Sequence, residues 1–186
     1  MGLIAKHDPV GIDAAIGKQQ RDLFLELTIK HKWRDYVSYH RAYRNRKDKD
    51  LLPEVYTENG EYKEVLFSDR ETVSSFYLTD EKRTYDPKKF TWTQGASIIF
   101  QANLSKLFCD IKHRADEEMI GNIRAAIARK NWLPHLTDII TGIDKVYDSL
   151  KISNDKKYYD DMGSFSIVRF NFEMIYTNGI PTSIIQ

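Results

Sequence analysis

From Phe165 to Asn178 the chain reads F-S-I-V-R-F-N-F-E-M-I-Y-T-N, apolar and polar by turns. Val168, Phe170, Phe172, Met174 and Tyr176 share one parity and Arg169, Asn171, Glu173 and Thr177 the other, which is the period of a strand with one buried face. Phe90 to Ala102 repeats the pattern, with Phe90, Trp92, Ala96, Ile98, Phe100 and Ala102 set against Thr91, Thr93, Ser97 and Gln101. At about 3.3 Å per residue this run predicts a strand of about 40 Å, the natural antiparallel neighbour of the closing one. Gly95 in its middle is expected to mark a bulge.

Elsewhere the period lengthens. Ile12, Ala15, Ile16, Gln19, Leu23 and Leu27 recur at three- and four-residue steps behind Asp8-Pro9, so residues 11 to 29 are expected to form an amphipathic helix. Leu23, Leu25, Leu27 and Ile29 also alternate, which leaves a strand open at that end. Arg114 to Lys130 places Met119, Ile120, Ile123, Ala126 and Ile127 on one stripe, with acids early and bases late as the helix dipole favours. Pro134 blocks its continuation, and Thr137 or Asp138 is expected to open a second helix bearing Ile139, Ile143, Val146, Tyr147 and Leu150. Asn103 is placed to cap a short turn through Leu104, Leu107 and Phe108.

Trp33 to Tyr43 is rich in strand formers and leads into the charged run Arg44 to Asp50, read as the exposed tip between two strands, with 53 to 56 returning. Glu58-Asn59-Gly60 supplies a turn, short strands are expected at 62 to 67 and 74 to 78, and Asp80 to Lys89 reads as a charged loop. Residues 152 to 164 form a polar approach to the last strand. The expected fold is α+β: an antiparallel or mixed sheet with two long strands, packed against a helix pair and an N-terminal helix. One domain spans 1 to 186, with a charged tip near 44 to 52 and a tail at 177 to 186.

Composition changes this picture little. Lysines and arginines number 28 against 27 acids, a net charge of +1, so no global field draws the chain to nucleic acid or an anionic membrane. Any DNA contact has to be local. No window approaches 18 uninterrupted apolar residues, and the first residues are charged too soon for a signal peptide, so no membrane partner is expected. The single cysteine, Cys109, sits in L-F-C-D and reads as a small buried hydrophobe.

Candidate chemistry is sparse. Glu61-Tyr62-Lys63 has the acid-x-lysine form of a metal-dependent nuclease, but the same pattern recurs at Asp80/Lys82, Asp86/Lys88, Asp110/Lys112 and Asp155/Lys157. Asp160-Asp161 offers too few oxygens for a hard cation. His7, His31, His40, His113 and His135 show no zinc spacing. No catalytic residue, cofactor or metal is therefore assigned. Residues 33 to 49 interleave bases with aromatics, which suggests an alternative as a nucleic-acid-binding accessory protein. The tail T-N-G-I-P-T-S-I-I-Q carries Ile180, Ile184 and Ile185, which must be buried on their own domain or in another chain.

In this order of elements the chain resembles neck proteins of tailed phages infecting gut Bacteroidota, the crAss-like group among them. The stretches that carry the resemblance are I-D-A-A-I-G-K-Q-Q, Y-K-E-V-L-F-S-D, S-I-I-F-Q-A-N-L-S-K-L-F, R-A-D-E-E and D-M-G-S-F-S-I-V-R-F. They span most of the sequence as an overall pattern without a diagnostic motif. The resemblance implies a non-enzymatic virion subunit of a ring in the head-to-tail connector, similar to tail terminator and tail completion proteins. Its partners would be further copies of itself, other neck, portal or tail proteins, and DNA in the lumen. Arg44, Arg46, Lys47 and Lys49 at the hairpin, with Ile180, Ile184 and Ile185 in the tail, would then meet neighbours.

Overall fold

The two long alternating runs do pair, and everything else is arranged around them. This computed structural model describes residues 2–57, 60–66, 71–110, 115–153 and 164–177. Among them the order is β1 (Gly2–Ile4), α1 (Ile12–Leu25), β2 (Tyr36–Arg41), β3 (Tyr43–Lys47), β4 (Asp50–Tyr56), β5 (Tyr62–Glu64) and β6 (Val73–Asp86). Then follow β7 (Thr91–Asn103), α2 (Leu104–Leu107), α3 (Asp116–Arg129), β8 (Leu136–Thr141), α4 (Ile143–Val146) and β9 (Phe165–Tyr176). The fold is α+β. Six strands form a mixed sheet in the order β1-β2-β6-β7-β9-β8, and β3-β4-β5 make a second sheet. β1, β2 and β6 run parallel, whereas β7 pairs antiparallel with β6 and with β9, from Trp92 opposite Tyr176 to Asn103 opposite Phe165.

One face of the large sheet lies under α1 and α3. Ile12, Ile16 and Leu23 from α1 and Met119, Ile123, Ala126 and Ile127 from α3 pack on Ala96, Ile98, Phe100, Val168, Phe170 and Phe172. Phe100 sits edge-on to both Trp33 and Phe170, at 6.1 Å in each case. All three are buried to 2% exposure or less, so truncating any one to alanine costs about 3–5 kcal/mol. The other face, expected to meet solvent, is also covered in its central part. Tyr39, Leu52, Val55, Phe76, Leu78, Ile99, Tyr147, Leu150 and Ile167 form a second cluster beneath the small sheet and the segment after α4. Gln101 lies on that face at 3% exposure because Tyr147 Oη donates to its Oε1 at 2.8 Å and its Nε2 donates to Val65 O at 2.8 Å.

Several elements differ from expectation for definable reasons. At 23 to 29 the helix expected is the one formed, and the open alternative of a strand is settled against: a π turn spans Glu26–Lys30, Leu23 and Leu27 are buried, and Leu25 and Ile29, which complete the alternation, stand 43% and 65% exposed. The helix expected from 137 onward is mostly strand. β8 pairs with β9, Ile139 opposite Phe170, and only Ile143–Val146 is helical beyond Gly142 at φ 90°. The helices that share the sheet face are therefore α1 and α3.

The expected charged loop at 80 to 89 is instead the outer half of β6, closed by a turn at 87–90. The expected bulge at Gly95 lies across the ladder in β6, between Thr79 and Arg83. Gly95 instead leaves room for a neighbour, since a Cβ there would stand 2.0 Å from Asp80 Oδ2. The tip expected at Arg44 to Asp50 shrinks to Asp48 and Lys49, with Asp48 at φ 54°, because β3 runs to Lys47 opposite Asp50. Asn103 caps α2 as expected, its side chain accepting from Lys106 N.

Candidate functional site

The structure divides the basic aromatic segment 33 to 49 between core and surface. Trp33, Tyr36 and Tyr39 are buried to 2% exposure or less. Burial pushes the Tyr36 hydroxyl up to about 12, and the group hydrogen-bonds Ser75 Oγ at 2.7 Å. These three rings are inaccessible for stacking on bases, and Tyr43, which is partly exposed, is the remaining ring of the segment, with Arg41 4.9 Å over it.

The cations of the segment are partly engaged as well. Arg44 Nη1 donates to Thr79 O at 3.0 Å and so ties the hairpin to β6. Lys47 pairs with Glu54 and reaches Glu64 at 3.9 Å. Burial alone raises the Glu54 carboxyl, but hydrogen bonds from Lys47 and Asn45 and the Lys47 charge outweigh it and hold the group below its ordinary value. Arg46 and Lys49 are exposed.

At the base of this hairpin opens a cleft of about 680 Å³, bounded by the start of α1, Arg41, Arg44, the β6 bulge, Gln94 and Tyr176. Its charged lining is Asp13, Arg41, Arg44, Asp80, Glu81 and Arg83, three guanidiniums against three carboxylates. Asp13, at 7% exposure, is the centre of the arrangement: Arg41 Nε faces its Oδ1 at 2.7 Å, Arg41 Nη2 its Oδ2 at 3.1 Å, and Lys6 Nζ bonds the same Oδ2. Partial burial lowers the Lys6 ammonium, yet bonding to Asp13 and Tyr43 outweighs this and raises it above its ordinary value. This network fastens the segment before α1 onto β2. A cleft so evenly balanced does not concentrate free anions.

The nuclease residues do not converge. Glu61 is exposed, Lys63 Nζ donates to Tyr39 Oη at 2.6 Å and lies 3.9 Å from Glu71, and among the described residues no three His, Cys, Asp or Glu side chains could hold a metal. Asp160-Asp161 falls outside the described residues. His40 is buried with its ring nitrogens on Arg41 O and Tyr56 O, each at 3.0 Å, so its setting is structural. Cys109, expected to be buried, is exposed, because the chain leaves α2 for the surface at Phe108.

Of the tail, Ile180, Ile184 and Ile185 lie outside the described residues. Beside the end of β9 is a groove of about 330 Å³ lined by Ala14, Ala15, Lys18, Trp132, His135 and residues 173–177, where Ile175 stands 52% exposed. The reading of 80 to 89 as a loop missed the ribbon tip bearing Lys82, Arg83, Tyr85, Lys88, Lys89 and Phe90. A signal was present. T-Y-D-P-K-K-F-T-W sets strand formers on both sides of an Asp-Pro turn. No protein-family model matches the sequence and no curated protein matches it significantly.

Proposed function

We propose that the chain is a non-enzymatic structural subunit of a tailed-phage neck, one copy of a ring that surrounds the DNA channel between head and tail. The resemblance noted in the sequence motivates this reading, and one structural observation supports it. The six-stranded sheet is open, and its edge strands, β1 at one side and β8 at the other, are different in sequence. β8 is half exposed and pairs only with β9 among the described strands. Joining the β8 side of one copy to the β1 side of the next is a heterologous contact, and such contacts generate rings when their rotation closes. Further copies, portal, tail and other neck proteins are the partners this reading names.

Light scattering and electron microscopy of the purified chain, alone and mixed with the adjoining neck proteins, test it. Closed rings are expected. Monomer under every condition would sink the proposal.

A further inference from the structure

We propose that the tip of the β6–β7 ribbon is a nucleic-acid contact, in which Phe90 stacks on a base and Lys82, Lys88 and Lys89 meet phosphates. The outer half of β6 is an edge of the sheet and the turn at 87–90 its end: β2 accompanies β6 only as far as Tyr77, Asp80 to Tyr85 are exposed at successive positions, and β9 flanks β7 as far as Trp92, opposite Tyr176. Only the last β6–β7 pair, Asp86 opposite Thr91, and the turn lie beyond the reach of β9.

The tip is rigid. Asp86 Oδ1 accepts from Lys88 N at 2.9 Å and from Lys89 N at 3.3 Å, which organises the turn and points its carboxylate inward. Behind it, Arg83 lies 4.5 Å over the Trp92 ring and the Tyr85 ring packs 4.8 Å from Trp92. Phe90 then closes the turn at φ 53°, a backbone region that glycine or asparagine ordinarily fills, while its ring is 67% exposed. With two thirds of its surface in water the ring gains little packing to offset the strain, and among the described residues it has no aromatic partner. Strain of this kind, with the side chain held outward, is what a contact residue displays.

Charge selects the partner. Between residues 80 and 92 stand Lys82, Arg83, Lys88 and Lys89 against Asp80, Glu81 and Asp86, and at the turn itself Lys88 and Lys89 face only Asp86, whose carboxylate is bonded to the backbone of the turn. The ammonium groups of Lys82, Lys88 and Lys89 make no ion pair among the described residues. A protruding flat ring flanked by free lysines fits a polymer that offers both phosphates and base faces. The proposal gives the ring reading a set of DNA-facing residues but does not need the ring.

The test is fluorescence anisotropy of the full chain with labelled single-stranded and duplex oligonucleotides of about 20 nucleotides, at about 50 to 200 mM salt. Expected is binding that weakens with salt. K88A/K89A should weaken it about tenfold and lower the salt slope by one to two, roughly 0.7–0.9 for each phosphate no longer neutralised. Phe90→Gly relieves the backbone, so the fold persists, yet single-strand affinity should fall about tenfold with the slope unchanged, and Phe90→Trp should restore it. No binding to either oligonucleotide overturns the proposal. So does binding indifferent to these substitutions, or equal competition by polyglutamate without a Phe90 effect. Light scattering on the same samples separates the two readings, because a monomer that binds supports this one alone and a ring that does not bind supports only the other.

Discussion

Asp13 shows how a single buried charge decides local structure. Its carboxylate is nearly sealed from water and balanced by Arg41 and Lys6, so removing it leaves a guanidinium at 21% exposure without its main partner. Asp13→Ala should cost about 2–3 kcal/mol in urea unfolding, less than a fully buried pair because Lys6 remains one-third exposed. Glu54 gives a pH dependence. It is held below its ordinary 4.5 in the folded chain, so its contribution is complete above that value and is lost as pH falls through the lower folded one. Lys47 is half exposed and screened, so the loss should be under about 1 kcal/mol. Urea midpoints compared at about pH 6 and pH 3 should show it, and Glu54→Gln should remove that component. Neither role is legible in the sequence, because a charged residue there looks alike whether it ends in solvent or in a network. Arg44 reads as part of an exposed tip and instead ties the hairpin to β6.

Elements are legible in proportion to the length of their pattern. β7, β9 and α3 carry twelve or more residues each on one period, and they form within two residues of the expected bounds. The stretch from Thr137 or Asp138 onward reads as helix from sequence because its apolar spacing suits both periods over so short a span. The free edge of β9 decides for strand, helped by the β-branched Thr137, Ile139, Ile140 and Thr141. The outer half of β6 reads as a loop because of its charges, yet β7 pairs one side of its backbone from Arg83 to Asp86 while its side chains meet solvent. Gly95→Ala probes this ribbon. The added Cβ meets the end of the Asp80 side chain, which is exposed and can turn aside, so the change should cost about 1 kcal/mol or less. Asp80→Ala should cancel that cost, and a double-mutant cycle measured by thermal unfolding checks the coupling.

At the scale of the molecule, the tail and the open sheet bear on assembly. Cutting the chain after Asn178 removes Ile180, Ile184 and Ile185 and should weaken assembly while leaving the thermal midpoint within a few degrees. Light scattering with circular dichroism checks both parts, and unchanged assembly would remove the tail from the ring proposal. What the sequence determined by itself was the α+β class, the two long strands and the helix stripes, since side-chain period is a local property that follows from backbone geometry. Only the tertiary structure decided that both faces of the sheet are covered, that Leu136–Thr141 is a strand, and which cations are held by carboxylates and which stand free at the ribbon tip. Pairing and burial depend on what lies across space, and residues far apart along the chain, such as Arg41 and Tyr77 or Gln94 and Tyr176, supply it.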